Sequence, residues 1–199
     1  MTTIYLMRHG LTNNPNQVFY GHEFKLAERG RRQARHLAEE MKQHGIRPTI
    51  SRCSPFLRTQ ETCQIVNRIL GCPNARTDER LMEWNVVPWF NKPLKDFHAA
   101  TKYPETPPRI EDPNVERLED MAHRIMQVID EVRQEATGES ALLVSHREPL
   151  VSAMLKLQDL SCDTIHTVDF HVATVWELTY ENNEKLTNIR KAFDHHKDR

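Results

Sequence analysis

Short apolar runs alternate with segments of helical periodicity along the chain. Three of the runs predict buried strands, at residues 3–7, 49–53 and 141–144. Four segments with apolar residues at helical spacing predict helices, at 28–41, 54–70, 115–132 and 149–157. The helix at 54–70 has Ser54 at its predicted N-cap and Gly71 after its last turn. Segments 174–180 and 185–190 predict a closing hairpin over Asn182 and Asn183.

This order of elements predicts the architecture. Strands that alternate with helices favour an α/β fold, a three-layer αβα sandwich around a mainly parallel, doubly wound sheet. Between residues 84 and 114 prolines and aromatic residues are interleaved, which indicates an excursion from that pattern. We therefore expect a single domain over residues 1–199 with a lid insertion at about 84–114.

Composition and charge narrow the class of protein. The 199 residues carry 27 Lys and Arg against 28 Asp and Glu, a net charge of −1, so no overall basic field favours nucleic acid or an anionic membrane. No apolar stretch approaches the length of a membrane span, and residues 1–7 show neither the basic n-region nor the long apolar h-region of a signal peptide, so we expect neither membrane insertion nor export. The four cysteines are too widely spaced for a zinc or redox motif: Cys53, Cys63, Cys72 and Cys162. We expect a cytoplasmic globular protein with reduced thiols.

Cationic and imidazole side chains follow the predicted strands. Arg8 and His9 come directly after the first strand, Arg58 lies on the helix after the second, and His146 and Arg147 follow the third. The carboxyl ends of parallel strands gather at one edge of a sheet, and the Arg fork is suited to phosphate. Taken alone, each arginine is more simply interpreted as a surface charge, and each histidine as a residue that caps the end of a strand. Their repeated placement predicts a shared anion site.

Five motifs in order resemble a known family. They are residues 6–12 (LMRHGLT), 21–34, 54–59 (SPFLRT), 78–83 with Trp89, and 144–146 (VSH). Over residues 4 to about 157 the sequence resembles the histidine phosphatase (phosphoglycerate mutase-like) superfamily.

The resemblance implies a reaction for the strand-end residues. His9 is then the nucleophile that takes the phosphoryl group, forming a phosphohistidine. Arg8, Arg58 and His146 stabilise the charge on the transferred group, with His146 protonated when phosphate is bound. Since these residues supply the positive charge, neither a metal nor a cofactor is expected.

The resemblance also implies an acid and further binding residues. Glu83 occupies the family position of the general acid that protonates the leaving alkoxide, and Glu79 is the alternative. Further residues are expected to bind the substrate: Thr12, Asn14, Gly21 and Arg147. Arg147 stands where the family usually has glycine, and it either adds a phosphate ligand or faces solvent.

The sequence departs from the family in the loops. Val87 and Asn91 stand where glycines are common, and Pro15 replaces an asparagine that usually follows the first motif. The insertion point after Glu83 carries substrate-determining residues in the family. Candidates here are Trp89, Phe90, Lys92, Lys95 and Arg109, although the aromatic residues could equally form a small core beneath a loop.

We expect a metal-independent phosphomonoesterase acting on a small phosphorylated metabolite. A cofactor-dependent phosphoglycerate mutase is the nearest alternative, but such mutases have longer segments after the second histidine motif than this chain provides, which favours hydrolysis. A non-catalytic phospholigand-binding module is the alternative from another class. The sequence fixes neither the substrate nor the oligomeric state, for which a homodimer is one candidate.

Overall fold

Six strands form one sheet. The computed structural model describes residues 1–19, 21–108 and 110–194. Its strands are β1 (Thr2–Arg8), β2 (Ile50–Cys53), β3 (Arg76–Thr77), β4 (Ser140–Ser145), β5 (Thr174–Glu181) and β6 (Lys185–Asp194). Their order across the sheet is β3-β2-β4-β1-β5-β6. Strands β1 to β4 pair with one another in parallel. Strand β5 pairs antiparallel with both β1 and β6, so the sheet is mainly parallel with an antiparallel hairpin at one side.

Helices cover both faces of this sheet. They are α1 (Glu28–Gln43), α2 (Leu57–Leu70), α3 (Leu94–Thr101), α4 (Leu118–Glu135) and α5 (Arg147–Leu157). Alternate residues of β1 divide between two cores, because successive strand side chains point to opposite faces. Ile4 and Leu6 pack with α4 and α5, whereas Tyr5 and Met7 pack with α1 and α2. The predicted αβα sandwich is therefore confirmed.

Three elements differ from the sequence prediction. Strand β3 has only two residues, too few for a hydrophobic pattern, and α3 lies within the segment predicted to be irregular. The predicted cap of α2 is wrong, because this helix begins at Leu57 after Phe56 and has no side-chain cap. Ser54 instead lies at the end of β4, where its hydroxyl is 2.9 Å from His146 Nε2.

The loop after β1 lies tightly against α1. A Cβ atom on Gly30 would stand 2.1 Å from the carbonyl oxygen of Leu11, and one on Gly10 would stand 2.5 Å from the carbonyl oxygen of Gly30. Only glycine fits at such a close backbone approach. The pair fixes the course of the chain directly after Arg8 and His9.

The segment at 84–114 packs its aromatic residues against the α4–α5 core. Trp84, Phe97 and Tyr103 are buried there with ring edges against one another's faces. Asn91 adopts a φ of 61°, the left-handed region that asparagine tolerates well, which explains its presence at a common glycine position. The role of the segment as a lid stays a prediction.

The specificity candidates in that segment have different surroundings. Trp89 and Phe90 pack partly buried against the core, and the Lys92 ammonium lies 5.3 Å from the centroid of the Trp89 ring. Lys95 is exposed, and Arg109 lies outside the described residues. None of the described helices is long and apolar enough to cross a membrane.

Candidate active site

His9 lies immediately beyond β1 and is buried, with 2% of its surface exposed. Its Nδ1 is 2.8 Å from the carbonyl oxygen of Gly10. Because a carbonyl oxygen only accepts, Nδ1 carries the proton and Nε2 keeps its lone pair. Burial, and then the charges of Arg58 and Arg8, hold the pKa of His9 well below its ordinary value. The imidazole is therefore neutral at pH 7 and nucleophilic at Nε2.

Arg58 lies against that nitrogen. It belongs to the first turn of α2 and is buried, and its Nε is 3.3 Å from His9 Nε2. Its Nη1 donates to the carbonyl oxygen of Gly21 at 2.7 Å. The guanidinium is thus held at the reactive side of His9, where it can bind an anion that the imidazole attacks.

Arg8 is the second cation of the site. The last residue of β1, it donates from Nη1 to the carbonyl oxygen of Phe170 in the segment before β5. It lines the same cavity as Arg58, and its charge lowers the pKa of both His9 and His146.

His146 follows β4 and is completely buried at the start of α5. Its ring centroid is 5.2 Å from that of His9, and its Nε2 is 2.9 Å from the Ser54 hydroxyl. Burial, together with Arg58 and His9, holds its pKa well below the ordinary value. The free site therefore keeps both imidazoles neutral. A bound phosphate dianion would favour the protonated form of His146 that the resemblance implies.

Glu83 completes the cluster. Its Oε2 lies 3.6 Å from His146 Nδ1, and its Oε1 accepts from the backbone of Trp84 at 2.9 Å. Burial, and next the charge of Glu148, raise the pKa of Glu83 to about 8. The carboxyl is therefore mostly protonated at pH 7. The alternative acid, Glu79, is exposed at the surface.

The backbone that carries Glu83 is anchored by a residue of α4 and by the last residue of β4. Arg124 of α4 donates to the carbonyl oxygens of Met82 at 2.7 Å and Glu83 at 3.2 Å. The Ser145 hydroxyl, at the end of β4, donates to the carbonyl oxygen of Leu81 at 2.7 Å. Sequence reasoning missed both anchors, since each bond joins residues far apart in the chain.

A cavity of about 190 Å³ opens beside these residues. Two arginines and two carboxyl groups line it: Arg8, Arg58, Glu83 and Glu148. The rest of its wall is aromatic, imidazole or aliphatic: Phe19, Trp84, Leu94, Phe97, His98 and Tyr103. Sequence reasoning missed Glu148 and Tyr103, whose only signals are a carboxyl two residues after His146 and an aromatic in the predicted lid.

The predicted substrate-binding residues lie in several places. Asn14 closes a loop, since its side chain exchanges hydrogen bonds with the backbone of Val18 at 2.9 and 3.2 Å. Gly21 contacts the site through the carbonyl oxygen that holds Arg58. Thr12 forms an isolated antiparallel bridge with Leu26 at the base of the loop after the first motif.

Arg147 is engaged by protein groups, which contradicts the solvent-facing alternative, whereas its role as a phosphate ligand stays a prediction. Its guanidinium donates to the carbonyl oxygens of Ile165 at 3.1 Å and Val168 at 2.6 Å, and also to the Tyr103 hydroxyl. Only 16% of its side chain is exposed, so it does not face solvent. With these acceptors it holds protein groups together, and a fourth contact, to Glu148 Oε1 at 3.2 Å, lies at the cavity.

No three His, Cys, Asp or Glu side chains are grouped so as to hold a metal ion within residues 1–19, 21–108 and 110–194. The positive charge at the cavity comes from Arg8 and Arg58.

Known proteins resemble this chain over most of its length. A family model described as the histidine phosphatase superfamily (branch 1) matches residues 4–191. The uncharacterized phosphatase PhoE of Bacillus subtilis is 30% identical over 148 residues, 73% of this chain and 72% of that protein. A phosphoglycerate mutase of Schizosaccharomyces pombe is 29% identical over 173 residues, 81% of this chain and 82% of that protein. Bacillus stearothermophilus YhfR has the same fold, with a TM-score of 0.83, 23% identity and 96% of each chain covered.

Proposed function

Because this chain belongs to branch 1 of the histidine phosphatase superfamily, we propose that it is a metal-independent phosphomonoesterase that hydrolyses a small phosphorylated metabolite. The observation that supports this most directly is the state of His9. Its Nδ1 donates a hydrogen bond to the Gly10 carbonyl oxygen, and its Nε2 accepts one from Arg58 Nε at 3.3 Å. That arrangement suits a neutral imidazole that attacks a phosphorus atom held by arginine.

In the first half of the proposed reaction, Nε2 of His9 forms a bond to phosphorus while the bond to the ester oxygen breaks. Arg8, Arg58 and a protonated His146 stabilise the charge that spreads over the phosphoryl oxygens. Glu83 gives its proton to the leaving alkoxide, and its pKa of about 8 suits that task at neutral pH. The alcohol then leaves, and the enzyme carries phosphohistidine.

In the second half, water attacks the phosphorus atom and the bond to His9 Nε2 breaks. The Glu83 carboxylate accepts a proton from this water, which returns the acid to its starting state. The products are the alcohol and inorganic phosphate. We propose the cytoplasm as the location, because all four cysteines are free thiols and thiols stay reduced in that compartment.

A phosphoglycerate mutase is the second candidate, because a relative of that name matches 81% of the chain. The two activities share the phosphohistidine and differ in what accepts its phosphoryl group. The test supplies 3-phosphoglycerate with catalytic 2,3-bisphosphoglycerate and follows inorganic phosphate and 2-phosphoglycerate together, with and without EDTA. We expect phosphate as the main product and no effect of the chelator.

Isomerisation that clearly outruns phosphate release would replace the phosphatase proposal by the mutase. A broad panel of phosphomonoesters is run in parallel, including p-nitrophenyl phosphate. Binding of phosphate without turnover of any ester would instead favour a phospholigand-binding module.

A further inference from the structure

Glu148 lines the cavity, and the proposed reaction assigns it no bond or proton to transfer, although its charge raises the pKa of Glu83. It lies in the first turn of α5, two residues after His146, and 18% of its side chain is exposed. Its Oε1 accepts hydrogen bonds from the Tyr103 hydroxyl at 2.9 Å and from Arg147 Nη1 at 3.2 Å. Tyr103 packs against Phe97 and Trp84, and Arg147 is held by two carbonyl oxygens. The carboxylate is thus fixed in one position at the cavity.

These contacts keep Glu148 ionised. Burial alone would raise its pKa, but Arg147, Arg8 and the Tyr103 hydroxyl together bring the pKa below its ordinary value. Glu83, by contrast, keeps its proton at pH 7. Among the described lining residues of the cavity, Glu148 is therefore the one with a negative charge at neutral pH.

The proposed reaction assigns both cations of the lining to the transferred phosphoryl group. Arg58 lies against His9 Nε2, and Arg8 is adjacent to His9 in the chain. The remaining lining residues offer ring faces, an imidazole and a leucine. The Arg147 guanidinium beside Glu148 is held by protein acceptors and does not line the cavity. A second anion on the alcohol half of a substrate would therefore meet aromatic carbon and the Glu148 carboxylate. Burial of such a charge without a partner is unfavourable, and the like charge adds to the cost.

We propose that the cavity selects phosphomonoesters whose alcohol half is neutral or bears an amine, and that Glu148 is the specificity-determining residue that excludes a second anionic group. This inference rests on the proposed function. Two like charges about 6 Å apart at an effective dielectric constant of about 20 correspond to a discrimination on the order of 10- to 100-fold.

The test uses two substrates that differ at one end. Glycerol 3-phosphate and 3-phosphoglycerate have similar size, but only the second carries a carboxylate. For the wild-type protein we expect kcat/KM to favour glycerol 3-phosphate at least ~10-fold, and Glu148→Gln to reduce that ratio by about the same factor. Glu148→Asp, which keeps the charge, should keep most of the preference. The exposed Glu39→Gln on α1 is the matched control and should change neither rate.

A ratio near one in the wild-type protein, or a ratio unchanged in Glu148→Gln, would overturn the inference. Failure of the wild-type protein to hydrolyse any ester, including p-nitrophenyl phosphate, would instead contradict the proposed function. If Glu148→Gln does not fold, competitive inhibition of the wild-type protein gives the same answer. Phosphoglycolate should then bind at least ~10-fold more weakly than ethyl phosphate, and equal inhibition would overturn the inference.

Discussion

The two halves of the pocket are built in different ways. The phosphate half takes His9, Arg58 and His146 from the ends of strands or the first turn of a helix, and each is at most 2% exposed. The alcohol half consists largely of aromatic residues from the segment at 84–114, together with Glu148. The sheet thus positions the groups that we propose for catalysis, whereas we propose that the segment at 84–114 shapes the space for the leaving alcohol. We expect substitutions in the phosphate half to slow the hydrolysis of every substrate. Substitutions in the alcohol half should slow the hydrolysis of some substrates more than that of others.

The largest expected effect comes from the centre of the phosphate half. His9→Ala removes the proposed nucleophile, so we expect no measurable turnover of p-nitrophenyl phosphate or of any alkyl phosphate. The exposed His123→Ala on α4 is the control and should retain the wild-type rate. Circular dichroism and thermal unfolding establish that both variants are folded. A folded His9→Ala protein that retains substantial activity would end the phosphohistidine mechanism.

Removal of Arg58 should be the next most damaging change. Arg58→Ala removes a preorganised donor beside His9 Nε2, and losing one such donor typically costs roughly 10²- to 10³-fold in kcat. The loss should be similar for aryl and alkyl phosphates, because both transfer the same group. Arg68→Ala, exposed on the same helix, is the matched control. A loss confined to one class of ester would place Arg58 in the alcohol half of the pocket.

Glu83 lies where the two halves meet, and its effect should depend on the leaving group. Glu83→Gln cannot protonate an alkoxide, so we expect alkyl phosphates to slow by roughly 10²-fold and p-nitrophenyl phosphate by less than about tenfold. Glu79→Gln, at the surface, should alter neither rate. Equal slowing of both substrates by Glu83→Gln would require another acid.

The smallest effect concerns pH. With glycerol 3-phosphate, kcat/KM should fall as the pH rises through about 8, because Glu83 then loses its proton in the free protein. On the acid side, activity should persist below pH 6.5, since the pKa of His9 is lowered and the nucleophile stays neutral.

Glu148→Gln removes a negative charge that raises the pKa of Glu83, so the alkaline limb should move to lower pH. The kcat/KM of Glu148→Gln at pH 8 should therefore be lower than that of the wild-type protein, because a smaller fraction of Glu83 is protonated. An alkaline limb at the same pH in Glu148→Gln as in the wild-type protein would mean that Glu148 does not influence the pKa of Glu83.

The phosphate half was far more predictable from the sequence than the alcohol half. Buried strands leave a strong apolar signature, and a histidine or arginine directly after such a run lies at a known edge of the sheet, as do His9 and His146. The fold class followed from these signals and the family from the resemblance of five motifs, and both are confirmed. The roles of the individual site residues stay predictions.

The alcohol half depends on contacts that no local pattern encodes. The hydrogen bond from the Tyr103 hydroxyl to Glu148 joins residues that are 45 positions apart in the chain. The hydrogen bond from Arg124 to the carbonyl oxygen of Met82 joins residues that are 42 positions apart. Ser54 illustrates the same limit, since its sequence context indicates a helix cap although its hydroxyl lies against His146. Arg147 was likewise unpredictable, because its acceptors are carbonyl oxygens in a later irregular segment.

The most direct test of the account is to trap the intermediate. The protein is mixed with substrate labelled in its phosphoryl group, quenched on the millisecond scale, and the label is located by digestion and mass analysis. A phosphoramidate is labile in acid and stable in base. We therefore predict an acid-labile, base-stable label on His9 that is absent from His9→Ala. A base-labile label, a label on another residue, or complete turnover without a phosphoenzyme would contradict the account.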